Sequence, residues 1–133
     1  MKKMTNDYFL KFCDIVERSM PAPSQFDNCR KDMIDASLDD RNEVFVYTDT
    51  SHNMEVLKLD EYTKEFEKRR CNEIPNLKEH QPSAVDAVCV SKDNEWFLIE
   101  FKNEPIKNIL KSTPKKMLSS VWLIAYLYST LSE

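Results

Sequence analysis

The chain contains no glycine, whereas average proteins use about 7%. Phosphate-binding loops of the Walker and dinucleotide-binding types need backbone without Cβ atoms close to the phosphates. The absence of glycine therefore excludes the ATPase and NAD-dependent enzyme classes that use such loops. Turns and helix ends have to be built from Asn, Asp, Ser or Pro instead, which favours helices and a few short hairpins.

The chain also has few residues suited to a zinc site. The four cysteines lie far apart and form no C-x-x-C pair, at Cys13, Cys29, Cys71 and Cys89, and the two histidines are His52 and His80. We therefore expect no structural zinc site. The N-terminal stretch lacks the uninterrupted apolar run of a signal peptide, so the expectation is a cytoplasmic protein with free thiols.

A strongly basic charge, typical of proteins that coat nucleic acid non-specifically, is missing too. The formal net charge is −4, so any contact with nucleic acid must be local. The 133 residues are 41% hydrophobic and 32% charged, which fits one folded domain over 1–133 with a modest core.

Apolar spacing predicts helices in the first part of the chain, residues 5–38. One helix is expected between Thr5 and Met20, with Thr5 as its N-cap, and a second from about Asp27 to Leu38. A last helix over 113–132 is expected to begin with Thr113 and Pro114 as N-cap and first residue. Since it is apolar nearly all round, we expect it to be buried. It is too short in apolar residues to span a bilayer.

Residues 43–103 have the features of a small sheet. The predicted elements are two strands that form a hairpin, a helix with Asp60 as its N-cap, and two further strands that form a second hairpin: Val44 to Thr48, Met54 to Leu59, Asp60 to about Asn72, Ala84 to Val90 and Trp96 to Lys102.

The register of the second hairpin decides which charged side chains meet. With a turn of three or five residues, paired residue numbers sum to 186, which places Asp86 opposite Glu100 and Ala84 opposite Lys102 on one face. A turn of two or four residues gives a sum of 187, which pairs Asp86 with Phe101 and sends the two carboxylates to opposite faces. We favour 186 because it groups the polar side chains.

Two carboxylates at opposed positions have Cβ atoms about 4.5–5.5 Å apart and repel each other unless a cation neutralises them. Mg²⁺ and Mn²⁺ prefer oxygen ligands and usually take one or two carboxylates. The pair Asp86 and Glu100 therefore predicts a site for Mg²⁺ or Mn²⁺. Lys102 lies two residues beyond Glu100 on the same face, where its ammonium could assist a water and stabilise charge on a phosphoryl group.

The order of Asp86, thirteen further residues and then Glu100-Phe101-Lys102 resembles the D…(D/E)xK signature of the PD-(D/E)xK nuclease superfamily. The resemblance implies an α/β (α+β) fold in which a small mixed β-sheet is flanked by helices, the restriction endonuclease-like core. It implies Mg²⁺-dependent hydrolysis of nucleic acid, with Asp86 and Glu100 as metal ligands and Lys102 as the catalytic lysine.

The chain departs from this family pattern in three places. The proline of the motif does not directly precede its aspartate, since Pro82 is four residues earlier. The superfamily usually has another strand after the helix that follows ExK, whereas this chain stops at Glu133, so the core could be trimmed, completed by a second copy or truncated. The acidic residue that the family often carries on a preceding helix could be Glu17, Glu67 or Glu73.

A basic stretch after the motif gives a second indication of function. Its lysines are expected to guide a nucleic-acid backbone: Lys107, Lys111, Lys115 and Lys116. Lys115 and Lys116 fall in the first turn of the predicted helix 113–132, where a bound anion such as phosphate would offset their repulsion by the helix dipole. The alternative is an ordinary solvated loop and helix start.

A different class of function keeps the same fold without chemistry. The negative charge and small size are typical of a small acidic binding protein, such as a toxin-immunity or regulatory protein. In that case Glu100 and Lys102 are an ordinary charged strand end. A protein partner or a second copy of the chain could complete the core, and no membrane partner is expected.

Overall fold

The structure is a computed structural model, which describes residues 5–20, 26–39, 41, 43–64, 84–101 and 106–131, with the backbone alone over 106–112 and at 131. In chain order its elements are α1 (Asp7–Arg18), β1 (Arg30–Asp32), α2 (Met33–Ala36), β2 (Leu38–Asp39), β3 (Val44–Phe45), a 3-10 turn (Thr50–His52), β4 (Glu55–Leu57), β5 (Ala87–Val90), β6 (Trp96–Ile99) and α3 (Ile106–Leu131). Residues 59–64 are also helical.

The described strands form a four-stranded sheet in the order β1-β4-β5-β6 and a separate pair, β2-β3. The α+β class is thereby confirmed. Every strand pairing in the described part of the chain is antiparallel, whereas the sequence analysis expected a mixed sheet. The restriction endonuclease-like core stays a prediction.

Each face of the four-stranded sheet packs on a different cluster, because successive side chains of a strand point to opposite faces. One face carries Val88, Val90 and Leu57 and packs against buried residues of α1 and α3, among them Phe12 and Leu123. The other face is covered by a smaller cluster, whose buried members are Met33, Ala36, Val56, Ala87 and Cys89. The larger cluster thus lies between the sheet and the two long helices.

Helix α1 confirms the predicted helix between Thr5 and Met20, but its N-cap is Asn6 rather than Thr5. The Asn6 Oδ1 accepts a hydrogen bond of 3.0 Å from the N–H of Phe9, and Nδ2 donates one of 2.8 Å to the carbonyl of Val90. An amide side chain carries an acceptor oxygen and an NH₂ donor on separate atoms, so it can make both bonds at once. The cap therefore also joins the helix to strand β5.

The second predicted helix, Asp27 to Leu38, is wrong over most of its length. Residues Arg30–Asp32 form strand β1, which pairs with β4 and adds an ion pair of 2.6 Å between Arg30 and Glu55. Within the predicted range, Asp27 is helical and a short helix spans Met33–Ala36, where the Asp32 Oδ1 accepts from the N–H of Asp35 at 2.8 Å. Long-range pairing has overridden a weak helical periodicity here.

The first predicted hairpin is also wrong in its pairing. Strand β3 is only Val44–Phe45 and pairs with β2, while β4 lies between β1 and β5 in the other sheet. Asp60 lies inside the helical residues 59–64, since the N–H of Tyr62 bonds the carbonyl of Lys58 at 3.1 Å. It is therefore not the N-cap, and the predicted continuation to Asn72 lies outside the described residues.

Helix α3 differs from the predicted helix 113–132 in its start and in its burial. It begins at Ile106, so Thr113 and Pro114 lie inside it. Pro114 is exposed; there its ring and its missing N–H disturb one backbone bond without disturbing the core. Leu118 is 75% exposed and Trp122 62% exposed, so the expectation of a buried helix is wrong. In the part of the chain that the structure describes, no helix is long and apolar enough to cross a membrane.

Candidate functional site

The β5–β6 hairpin has the register that the sequence analysis favoured. Ala87 pairs with Ile99, and Val90 pairs with Trp96, so the paired numbers sum to 186. The turn is closed by a hydrogen bond of 2.8 Å from the N–H of Ser91 to the carbonyl of Glu95. The predicted opposition of Asp86 and Glu100, one step beyond the last strand pair, is confirmed.

The turn contains no glycine, and the side chains of Asn94 and Ser91 stabilise it instead. Asn94 has a φ of 62°, in the left-handed region that Asn tolerates better than most residues. The Ser91 Oγ accepts from the N–H groups of Asp93 and Glu95, at 3.2 and 3.0 Å. The turn thereby fixes the register of the whole hairpin, since a shift of one residue would turn every side chain to the other face.

At the open end of the hairpin, Asp86 and Glu100 each bond the other strand's backbone. The N–H of Asp86 donates to Glu100 Oε1 at 3.0 Å, and the N–H of Phe101 donates to Asp86 Oδ2 at 2.8 Å. These two bonds continue the hydrogen-bonded ladder beyond strands β5 and β6. We call this reciprocal arrangement the carboxylate brace.

Lys116 of α3 completes the surroundings of the carboxylate brace. Its Nζ lies 3.5 Å from Glu100 Oε2, where the Glu100 side chain is 5% exposed and that of Lys116 is 24% exposed. The Ser120 Oγ accepts from the N–H of Val85 at 3.0 Å and donates to the carbonyl of Lys116 at 2.7 Å. Helix α3 is thus attached to the open end of the hairpin by two polar contacts.

The expected role of Lys115 and Lys116 at a helix N-terminus is wrong in its geometry. Because α3 begins at Ile106, both lysines lie well inside the helix, away from its positive dipole end. The structure places Lys116 at the carboxylate brace and leaves Lys115 exposed. Lys102 and the side chains of Lys107 and Lys111 lie outside the described part.

Asp60 is an acidic neighbour of the site that the sequence analysis did not identify. Burial raises its pKa, the Lys58 ammonium at 3.8 Å lowers it, and the charge of Asp86 raises it again. Asp60 comes near Asp86 because β4 and β5 are antiparallel, with Leu57 paired to Val88. The pairing of β4 with β5 is the only feature from which the position of Asp60 near Asp86 could have been predicted. Of the acidic candidates named earlier, Glu17 is exposed on α1 and Glu67 and Glu73 lie outside the described residues.

The residues at the brace have the chemistry of a magnesium or manganese site in part. Asp86 and Glu100 supply two neighbouring carboxylates, which is the number that Mg²⁺ commonly takes from protein. Within the described ranges, no three Asp, Glu, His or Cys side chains converge as a metal-binding group. Asp60 acts on the pair electrostatically, since the charge of Asp86 raises the pKa of Asp60.

The residue types of a hydrolase triad, Ser, His and Asp, also meet at the 3-10 turn Thr50–His52. Their geometry is that of a capped turn. The Ser51 Oγ and Asp49 Oδ2 both contact the same ring nitrogen of His52, Nδ1, at 3.1 and 2.8 Å. A catalytic triad needs the nucleophile and the carboxylate on different ring nitrogens. The His52 side chain is 72% exposed, so this cluster is not a second candidate site.

No family model, curated protein or solved structure matches this chain. The resemblance of its motif to the PD-(D/E)xK superfamily therefore stays a prediction from the residues themselves. A functional assignment has to be argued from the carboxylate brace and the charges around it.

Proposed function

We propose that the protein is a metal-dependent phosphodiesterase that acts on nucleic acid, with Asp86 and Glu100 as the ligands of Mg²⁺ or Mn²⁺ and Lys102 as the catalytic lysine. The observation that supports this function is the direct opposition of Asp86 and Glu100 across the open end of the β5–β6 hairpin. The fold proposed with it is a restriction endonuclease-like core.

The brace bonds and a metal ion are compatible. An ionised carboxylate has about four lone-pair sites, so one N–H bond to each of Asp86 and Glu100 leaves room for an ion while holding the side chain in place. The ion would supply positive charge to the phosphoryl oxygens. The rigid brace would keep the ligands at fixed separation, which is what a preorganised site requires.

The Lys116 ammonium can contact either the Glu100 carboxylate or a substrate phosphate. Its contact with Glu100 is long, at 3.5 Å, and its side chain is partly exposed. An ion bound by Glu100 would repel the ammonium, which could then contact a substrate phosphate. Lys107, Lys111 and Lys115 would follow the nucleic-acid backbone further along α3. The free, buried thiols of Cys13 and Cys89 support placement in the reducing cytoplasm.

The direct test is calorimetric titration of Mn²⁺ into the purified protein. The test variants are Asp86→Asn and Glu100→Gln, because each amide oxygen can still accept the backbone N–H bond and so preserves the hairpin. The matched controls are Asp93→Asn and Glu95→Gln, which remove exposed carboxylates from the turn of the same hairpin. We expect saturable binding in the wild type and the controls, and its loss in both test variants. Absence of binding to the folded wild type would disprove the metal site.

The role of Lys102 needs a separate assay. Single-stranded and double-stranded DNA and RNA are incubated with the protein and Mg²⁺ or Mn²⁺, with chelator as the blank. Lys102→Ala should keep Mn²⁺ binding. Its cleavage rate should fall by a factor of about 10² or more, as expected when an electrostatic group at the transition state is removed. Cleavage that continues undiminished in Lys102→Ala would contradict the assignment.

A binding protein without chemistry is the second candidate, and one observation favours it. The carboxylates of Asp86 and Glu100 already accept backbone N–H bonds, and Glu100 also contacts Lys116. The pair is therefore tolerated without a metal ion. Under this reading the wild type takes up no Mn²⁺, and the two amide variants differ from it only slightly in stability.

A further inference from the structure

The outward side of α3 carries large apolar side chains in solvent. Leu118 and Trp122 are one turn apart on the helix and are 75% and 62% exposed, and Val121 beside them is 52% exposed. The Trp122 ring stacks on Tyr126 with centroids 5.6 Å apart and an angle of 12°, so it is held in one orientation. We call Leu118 and Trp122 the α3 ridge. Contiguous apolar surface of this kind is unusual on a monomer.

A groove runs beside the α3 ridge, along the contact between α3, α1 and β6. It has a volume of about 490 Å³, and its walls are mainly apolar, formed by Tyr8, Trp96, Leu98, Ile124, Ala125 and Tyr128, with Lys11 at the rim. Val121 also lines it, so ridge and groove are neighbours on the same helix. Ala125 is small and exposed, which leaves space for another side chain to approach the helix backbone.

We propose that the ridge and the groove are the two complementary parts of a symmetric interface between two copies of this chain. In a twofold dimer the same patch of each copy meets its equivalent, so a contact from ridge to groove occurs twice. The ridge of each copy lies in the groove of the other. Rows of side chains at i and i+4, such as Leu118 and Trp122, pack into the grooves of a second helix in this way.

The size of the patch fits a second copy. Large apolar side chains offer about 150–250 Å² each, so the exposed fractions of the ridge and its neighbours amount to roughly 500 Å². With the groove walls added, the area comes to roughly 650 Å², at the lower end of the roughly 600–1,000 Å² that each partner buries in a specific interface. The groove volume of about 490 Å³ has room for the Leu118 and Trp122 side chains of one partner.

The charges at this face also permit a second copy. From Met117 to Leu131 the sequence has no charged residue, so two copies of a chain with net charge −4 can meet here without local repulsion. Lys11 is the cation at the rim, where it would face an incoming Trp122 ring, a favourable cation–π arrangement. This interface does not depend on the proposed metal site.

Sedimentation equilibrium of the full chain without metal tests the dimer. We expect a mass near twice the 15.7 kDa of one chain for the wild type, and a rise in the dissociation constant of roughly 30-fold or more for Trp122→Glu, as for a hot-spot residue. Val44→Asp is the matched control, because Val44 is an exposed apolar residue, 47% exposed, on β3. It should dimerise as the wild type does. Circular dichroism checks that all variants are folded.

Ala125→Trp distinguishes this geometry from unspecific association. The variant keeps the α3 ridge and adds apolar surface but fills the groove, so the proposed dimer should weaken by a similar factor. Stronger association of Ala125→Trp would contradict the ridge-in-groove contact. A wild type that remains monomeric at its highest soluble concentration would overturn the proposal and leave this face to another partner.

Discussion

At both ends of the β5–β6 hairpin, side-chain oxygens accept hydrogen bonds from backbone N–H groups, but in different surroundings. At the turn, the Ser91 Oγ accepts from Asp93 and Glu95, whose side chains are exposed. At the open end, the Glu100 side chain is only 5% exposed and also contacts Lys116. Hydrogen bonds to buried charged groups are worth more, and their loss costs more, than bonds in solvent.

This difference in burial distinguishes the turn, which has a structural role, from the open end, which is the candidate site. A turn needs only small polar residues, whereas buried charges add little to stability over apolar residues of the same size. The placement of Asp86 and Glu100 at the less exposed end, next to Lys116 and Asp60, is therefore hard to explain as hairpin closure alone. Substitutions at each end of the hairpin test this contrast.

The largest effect is expected from Glu100→Ala. It removes the acceptor of the Asp86 N–H and leaves the Lys116 ammonium without this carboxylate, so the free energy of unfolding should fall by about 2–3 kcal/mol. Glu95→Ala at the exposed turn is the control and should change it by less than about 0.5 kcal/mol. Urea unfolding measures both. Equal effects would contradict the contrast.

A smaller loss is expected from Asp86→Ala. The N–H of Phe101 loses its acceptor, which should lower the free energy of unfolding by about 1–2 kcal/mol. Asp86→Asn keeps an acceptor oxygen and should cost less than half as much. If both variants are equally destabilised in urea, the charge and not the hydrogen bond holds the open end.

At the turn end, Asn94→Ala should cost about 1 kcal/mol, since Ala is disfavoured at positive φ. Asn94→Gly should stay within about 0.5 kcal/mol of the wild type, because glycine adopts a φ of 62° without strain. Thermal unfolding of the two variants gives the comparison. A turn that tolerates Ala as well as Gly would show that Ser91, and not Asn94, fixes the register.

At neutral pH the middle of the hairpin should show the smallest change, because its titratable group, the Cys89 thiol, affects stability only at high pH. Burial raises the pKa of Cys89 from 9.0 to about 11. Above pH 9 the thiol ionises in the unfolded chain while the folded protein keeps its proton, so the free energy of unfolding should fall as the pH rises from 9.0 toward about 11. Cys89→Ala should show a shallower fall in urea titrations at each pH. Burial likewise raises the pKa of Cys13 to about 12, so part of the fall should remain. An unchanged slope in Cys89→Ala would contradict the assignment to Cys89.

Local features of the sequence predicted some elements well. The helix expected between Thr5 and Met20 is found at Asp7–Arg18, and the hairpin register is the one favoured. Both depend on residues close together in the chain. The segment at Arg30–Asp32 forms a strand because it pairs with β4, about 25 residues away. The local sequence does not contain this pairing, and its spacing therefore predicts a helix instead.

The sequence by itself left two registers open for the hairpin and favoured the one that places Asp86 opposite Glu100, because this register groups the polar side chains. Once the turn has its observed length, a period of two along each strand is sufficient for that opposition. Only the tertiary structure decided that Lys116 and Asp60 join them, and that the Leu118 and Trp122 side of α3 faces solvent. Those outcomes depend on how α3 and β4 pack against the hairpin, and such packing is set by contacts between residues far apart in the chain, which periodicity does not encode.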